Sequence, residues 1–485
     1  MRHVEQNPRF AVLVTRSAAL AVLLLAAFGA APARAESLLD ALADAYYYSP
    51  ALDAQRATLR ATDEDVAIAN SNYRPNINGQ ADVGVQQQTV RPSFGTGGTT
   101  VPRGYAIQLV QPVFRGFRTI NAVNGAEATV RAGREQLRTV EQQALLDAVT
   151  AYADVVRDEA ILKLQQASSD FLKTQLQATR DRFKVGELTK TDVAQSEARN
   201  EDGLSQVQIA LANLKASRAA YERAVGHPPG SLRAPNQNIP LVPRSLREAI
   251  DIGNQENPNV VAALYLEQAA KFQVDEIRGE LLPELQLEAT YSERFESSTQ
   301  IDEVETGSVV GRLNMPIYPS GGAVYARVRQ AKQTHLSRIQ QIEQNRSLTQ
   351  AQVVASWSQL QGRKAQQESN QAAIDSNRTA LAGVQEEEKV GQRTIDDVLN
   401  FQRDLINSQV TLEQTKRDII VSAFTLVSNV GRLNIAELGA VRSAYDPEVH
   451  YGEVRRKAWG IDITRDDEDR SRDPWGTRVE HAPVK

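Results

Sequence analysis

The chain has 485 residues, with 55 Lys+Arg against 60 Asp+Glu and no cysteine. A formal charge of −5 argues against a basic nucleic-acid binder, and 24% charged residues argues against a polytopic helical membrane protein. Without cysteine there are no disulfides, thiolate metal sites or cysteine nucleophiles, and the five histidines (His3, His227, His335, His450, His481) show no ligand spacing.

The N-terminus carries Arg2, Arg9 and Arg16, then an uncharged apolar run from Ala18 to Ala31 that closes at Ala33-Arg34-Ala35. A basic start, a short apolar core and a small-x-small end mark a secretory signal peptide over residues 1–35, with the mature chain expected to start at Glu36. A membrane anchor is disfavoured because the run is short and Pro32 follows it. No cysteine follows to carry a lipid anchor, and no later uncharged stretch is long enough for a transmembrane helix. Membrane insertion of the exported chain would therefore have to use β-strands.

The rest of the sequence is written twice. Ser37-Leu38-Leu39-Asp40-Ala41-Leu42 matches Ser245-Leu246-Arg247-Glu248-Ala249-Ile250, and the same offset pairs Pro50 with Pro258, Val66 with Val274 and Pro75 with Pro283. Further on, Lys184-Val185-Gly186 matches Lys389-Val390-Gly391, and Asp192-Val193 matches Asp397-Val398. The chain divides on this basis into a first repeat, residues 36–244, and a second, residues 245–440.

Each repeat opens with a short helix, Ser37 to about Tyr48 and Ser245 to about Glu256. A second helix starts at Pro50 or Pro258, where proline suits the first turn, and ends before Pro75 or Pro283. The period then changes to two. Ile77, Ala81, Val83 and Val85 alternate with Asn78, Gln80, Asp82 and Gln86, and Tyr105, Ile107 and Leu109 with Ala106 and Gln108. In the second copy Leu285, Leu287, Ala289 and Tyr291 oppose Gln286, Glu288, Thr290 and Ser292. The return strand sets Val309, Leu313, Met315 and Ile317 against Ser308, Arg312 and Asn314. Two hairpins are expected, about 76–114 and 284–317, each strand with one apolar face, as a membrane-spanning barrel strand requires. The glycine-rich loop in 91–103 leads into a strand after Pro102 and reads as a surface turn, not a phosphate cradle.

Past Pro112 or Pro316 comes a very long helix, from about Phe117 to Phe183 and from about Ala323 to Glu388, each about 100 Å at 1.5 Å per residue. Two adjoining stripes, Leu137, Val140, Ala144, Ala148, Ala151 and Val155 beside Leu145, Val149, Tyr152 and Val156, indicate packing on two sides. The chain reverses at Gly186 and Gly391, and Thr189 with Asp192 and Thr394 with Asp397 are spaced as capping boxes for return helices reaching about Val225 and Val430. Each return helix plus the proline-initiated helix nearly matches the long one in length, so the two are expected to stack end to end beside it.

Four strands cannot close a barrel, and open edges in hydrocarbon leave backbone groups unpaired at several kcal/mol each, so at least two chains must combine. The fold class is thus mainly α with membrane β, a duplicated long-helix hairpin unit with four β-strands per chain. Residues 441–461 have no counterpart in the first copy and are read as an equatorial C-terminal segment. The charged stretch 462–485 is read as a disordered tail.

The paired Ser-Leu-x-x-Ala-Leu/Ile openings with Pro50 and Pro258, and the stretches Arg182–Val193 and Lys389–Leu399, together resemble the TolC-like outer-membrane efflux and secretion channels, over about residues 37–440. The missing anchor cysteine is similar to the type I secretion subgroup. The resemblance implies a homotrimer with a twelve-stranded β-barrel in outer-membrane lipid, continuing into an α-helical barrel through the periplasm of a Gram-negative bacterium. It implies docking to a periplasmic adaptor (membrane fusion) protein and an inner-membrane ABC transporter or proton-driven pump, at helix-turn tips matching Lys184, Val185, Gly186, Lys389, Val390 and Gly391. By motif, Asp192 and Arg393 occupy the positions of a polar link that holds the periplasmic gate closed, and Asp397 the position of an acidic ring. A second acidic ring position reads Asn400 here, and a gate tyrosine reads Glu388. On the residues alone, Asp192 and Asp397 are equally accounted for as helix caps.

No Gly-x-Ser-x-Gly elbow, His-Glu-x-x-His or phosphate loop occurs, so the sequence offers no catalytic, metal or cofactor-binding residues and no enzyme is expected. The alternative to a channel-tunnel is an elongated periplasmic coiled-coil scaffold or adaptor with soluble hairpins.

Overall fold

The computed structural model describes residues 35–89, 97–237, 239–298, 300–441 and 444–463. The signal segment (all but Ala35), residues 90–96 at the start of the glycine-rich loop and the charged tail beyond Ile463 lie outside the described residues, while Gly98 opens a short strand. In chain order come α1 (Leu38–Tyr48), α2 (Pro50–Ser71), β1 (Asn76–Val83), β2 (Gln86–Gln88), β3 (Gly98–Thr100), β4 (Arg103–Arg115), α3 (Arg118–Lys184) and α4 (Lys190–Val225). The second copy supplies α5 (Leu246–Glu256), α6 (Pro258–Arg278), β5 (Glu284–Ser298), β6 (Ile301–Asn314), α7 (Ala323–Lys389) and α8 (Ile395–Asn429), and α9 (Pro447–Val454) follows.

Local chemistry sets these boundaries. Ser37 caps α1 through a reciprocal box with Asp40, and the Ser245 hydroxyl accepts from the Glu248 N–H at the start of α5. Proline begins α2 and α6, where its missing N–H has no intrahelical role. Gly226, at φ 104°, ends α4 in the left-handed conformation. Both α3 and α7 are unbroken for 67 residues.

The compact units do not coincide with the two sequence repeats. One draws on Met1–Asp53, Arg138–Asn257 and Arg346–Ala444, the other on Ala54–Leu137, Pro258–Asn345 and Tyr445–Lys485. Each unit takes residues from both copies because α3 and α7 run through both units.

The first unit is helical. Ile374, Leu381 and Val384 of α7 pack with Val398, Leu405 and Leu412 of α8, flanked by Phe171 and Phe401. The seven-residue steps from Ile374 to Leu381 and from Val398 through Leu412 are those of a coiled coil. Along α4 the buried Ser196, Gly203, Ala210 and Ser217 keep the same step with small side chains. This lets α4 lie close on α3: a Cβ on Gly203 would come 2.7 Å from Leu172 Cδ1. Of the two predicted stripes on α3, Leu145, Ala148, Val149, Ala151, Tyr152 and Val155 are buried.

The second unit carries an antiparallel sheet in the order β1-β4-β5-β6, so the two hairpins join through β4 and β5. Pro112 falls within the expected 76–114 hairpin. It lies inside β4, followed by a register shift between Pro112 and Phe114, because a bulge accommodates a residue with no N–H to donate. In the second copy the strand stops at Asn314, short of Pro316. A two-stranded ribbon, β2 with β3, extends the first hairpin; its Gln-Gln-Gln and Gly-Thr-Thr segments offer no apolar alternation to read. On the helical side of this unit α9 docks through polar contacts: His450 Nδ1 to buried Asp63 Oδ2 (3.0 Å), Arg134 to Glu448, and the Tyr451 hydroxyl donating to Glu127 (3.2 Å). Asn70 and Arg74 of the segment around the end of α2 donate to the carbonyls of Arg455, Arg456 and Lys457.

Candidate functional site

Strand register gathers apolar side chains mostly on one face of the sheet and polar ones mostly on the other. Ile77, Leu109, Ala289 and Val309 form a row across all four strands, followed by Gly79, Ile107, Tyr291 and Gly307. Leu285 opposite Leu313 and Leu287 opposite Gly311 extend that face. From Leu285 to Tyr291 the face is about 20 Å long at about 3.4 Å per residue, close to the apolar band of an outer-membrane barrel. At its far end the rings of Tyr105 and Tyr291 lie 6.5 Å apart, and the Tyr105 hydroxyl donates to Glu293. The other face carries Asn78, Gln108, Thr290 and Ser308, with Arg312 on Glu288 (2.8 Å) and Arg294 near Asp82 (3.3 Å). Ile107, Val309 and Leu313 are exposed within the chain, so this apolar surface has no cover of its own. Both edge strands, β1 and β6, present an open backbone edge among the described residues. No helix among the described residues is long and apolar enough to cross a membrane.

The two helix turns of the first unit share one backbone design. At the first, Gly186 (φ 84°) donates to the Phe183 carbonyl and Glu187 to that of Arg182, both at 3.0 Å. At the second, Gly391 (φ 78°) donates to Glu388 and Gln392 to Glu387, both at 2.9 Å. Nothing lies within 4 Å of a Cβ built on either glycine, so the left-handed backbone, not crowding, selects glycine there. Val185 and Val390 project from the tips at 72% and 70% exposure, and Lys184 and Lys389 each pair with a carboxylate three residues earlier, Asp181 and Glu386.

Asp192 and Asp397 are both engaged as caps. The Thr189 N–H and hydroxyl donate to Asp192 Oδ2 at 2.8 and 2.7 Å, and those of Thr394 to Asp397 Oδ2 at 3.0 and 2.8 Å. These donors hold both carboxyls below the ordinary aspartate range, with Arg393 adding to the effect on Asp397. The capping contribution is therefore present above the ordinary aspartate pKa and lost as pH falls through the depressed folded values. Hydrogen exchange at the amides of Thr189 and Thr394, which donate to these carboxylates, corrected for intrinsic rate, is expected to accelerate at pH 3 relative to pH 6. Unchanged protection would show that other contacts hold the caps.

Arg393, which the motif sets opposite Asp192, donates instead to Glu387 Oε2 across its own turn (3.0 Å). The first turn carries the same clasp with the charges exchanged, Arg182 Nε to Glu187 Oε2 at 3.2 Å. The links between the two helical hairpins come from other residues. Arg182 Nη1 donates to Glu388 Oε1 at 2.5 Å, and Glu388 is largely buried. Arg199 of α4 donates to Asn400 Oδ1 at 3.0 Å and approaches Asp396 Oδ1 at 3.6 Å, while Asn400 Nδ2 donates to Asp396 Oδ2. Arg199 and Asp396 carried no signal in the sequence because nothing in either helix names its partner. Glu388 did carry one: an acid where a tyrosine was expected, with Arg182 available opposite.

A protein-family model described as outer membrane efflux protein matches residues 41–227 and 250–432, one stretch in each sequence copy. The outer membrane efflux protein BepC of Brucella suis is 37% identical over 431 residues, covering 88% of this chain and 92% of that protein. The outer membrane protein TolC of Escherichia coli is 25% identical, with 86% of each chain covered. Among solved structures, the CmeC outer membrane channel of Campylobacter jejuni superposes with a TM-score of 0.73 at 15% identity, covering 86% of this chain and 89% of that one.

Proposed function

Since this chain belongs to the outer membrane efflux protein family of TolC-like channels, we propose that three copies assemble into a channel-tunnel that exports proteins or small molecules. The chain lies in the outer membrane of a Gram-negative cell and extends into the periplasm. One observation supports the assembly above the rest: a four-stranded sheet with an uncovered apolar face and two open edges. In hydrocarbon those edges need partners, and β6 of one copy beside β1 of the next satisfies both. Three copies give twelve strands, with Glu288, Arg312, Arg294 and Asp82 facing a wet lumen.

The helices of the first unit then form the wall of the periplasmic entrance. Arg182 with Glu388, and Arg199 with Asp396 and Asn400, favour the closed arrangement; Asp192, Arg393 and Asp397 line the same ends, with Asp192 to Arg393 as a link between copies. The exposed Val185 and Val390, held by Gly186 and Gly391 and flanked by Lys184 and Lys389, offer docking points for a periplasmic adaptor that couples the tunnel to an inner-membrane ABC transporter or proton-driven pump. Partner binding opens the entrance only through its greater affinity for the open arrangement. No residue of this reading performs catalysis.

The test is the mass of the detergent-purified oligomer together with its conductance in a planar bilayer. A trimer that conducts supports the proposal. A monodisperse monomer soluble without detergent, as the scaffold alternative requires, overturns it.

A further inference from the structure

We propose that Glu36, Asp44 and His227 form a zinc site that ties the start of the folded chain to the end of α4. These residues show no ligand spacing in the sequence; the fold of the first unit brings them together. Glu36 sits in an extended segment whose N–H donates to the Ser231 carbonyl and whose carbonyl accepts from the Arg233 N–H, both at 3.0 Å. Asp44 lies on α1, and His227 follows Gly226, the residue that ends α4. The ligand atoms of the three side chains lie within 4.8 Å of one another.

The separations leave room for a cation among the three groups. His227 Nε2 is 3.4 Å from Asp44 Oδ2 and 3.7 Å from Glu36 Oε1. A charge-assisted hydrogen bond would close to about 2.7–2.9 Å. Neighbouring ligands of a tetrahedral zinc with bonds of about 2.0–2.2 Å stand about 3.3–3.6 Å apart. That range holds the His227–Asp44 pair and falls just short of the His227–Glu36 one, so the ion would draw Glu36 in slightly. The donor set of one imidazole and two carboxylates suits Zn²⁺, whereas Mg²⁺ and Ca²⁺ take oxygen ligands.

Supporting groups orient two of the three ligands. His227 Nδ1 donates to the Pro228 carbonyl at 3.1 Å, which leaves the Nε2 lone pair facing the carboxylates. The buried Tyr221 hydroxyl donates to Glu36 Oε1, the oxygen nearest His227, and holds that carboxylate in place while leaving its second lone pair for an ion. His227 and Asp44 are half exposed, so water has access to the fourth position. The site would bring together the first residues of the folded chain, α1 and the segment after α4, acting as a staple without catalytic work.

The test uses the untagged, detergent-purified oligomer stripped with a chelator. Calorimetric titration with ZnCl₂ is expected to give one site per chain, weakened at least about tenfold in His227→Gln and in Asp44→Asn, both changes at accessible side chains. His335→Gln and His450→Gln, which alter the other described histidines, should leave that site unchanged. Substitution with Co²⁺ should give the intense visible absorption of a four-coordinate ion, absent in His227→Gln. Equal zinc binding by the parent and both site variants, or no binding at about 10 μM zinc, overturns the assignment.

Discussion

Replacing Gly116 by valine is expected to abolish recovery of the folded oligomer. Gly116, at φ 59°, makes the bend between β4 and α3, and its backbone meets that of Gly279, which follows α6. A Cβ on Gly116 would overlap the Gly279 carbonyl oxygen and stand 2.9 Å from Leu282 Cβ. A Cβ on Gly279 would overlap the Gly116 carbonyl oxygen and come 2.5 Å from Arg118 Cγ. Backbone atoms cannot rotate aside, so the clash adds to a left-handed strain of about 1–2 kcal/mol, for a total of about 3 kcal/mol or more. Gly186→Ala separates the two contributions, because Gly186 has a similar backbone angle with open space around it. That variant should lose only about 1 kcal/mol and still assemble. Thermal melting by circular dichroism and the yield of detergent-stable oligomer read both effects; parent-like melting of Gly116→Val would refute the close-approach account.

The double variant Arg182→Ser with Arg199→Ser is expected to raise bilayer conductance by more than an order of magnitude. Each charge link between the hairpins is partly exposed and contributes about 0.2–1 kcal/mol. Two such links in each copy of the proposed trimer, at about 0.5 kcal/mol apiece, sum to about 3 kcal/mol. That sum corresponds to roughly a hundredfold change in the ratio of open to closed entrances. Arg393→Ser removes the clasp to Glu387 within one turn, together with any link to Asp192 of a neighbouring copy. The ratio of its effect to that of the double variant therefore measures how much of the closed state lies in each set. Unaltered open probability and bilayer conductance, with unaltered antibiotic leakage, in the double variant would remove Arg182 and Arg199 from the gate.

The architecture was legible because its signals are local or periodic. The duplication, the two 67-residue helices, the glycine turns and the Thr-x-x-Asp caps follow from spacing along one strand or helix. Strand alternation also gave the correct faces, since a period of two survives any choice of partner. What escaped depends on neighbours distant in sequence. The register shift after Pro112 emerges only when β5 is placed beside β4, where a bulge spares the missing donor. The helix α9 is short and held largely by polar contacts from Asp63, Glu127 and Arg134, so no apolar stripe announces it. Asp192 was legible twice, as a cap and by family position; the fold of one chain shows only the first of these roles. The site at Glu36, Asp44 and His227 escaped altogether because its members come from three separate segments.

The crosswise division of the compact units bears on how such a gene can be cut. A break between residues 244 and 245 separates the two ancestral copies cleanly in sequence, yet neither fragment holds a full set of segments for either unit. Half-length products would each expose the strand edge, β4 or β5, that the other half covers, inviting proteolysis unless both are made together. Fusion therefore did more than link two similar peptides: it made the β4–β5 pairing available from one ribosome, leaving the outer sheet edges to find a second molecule.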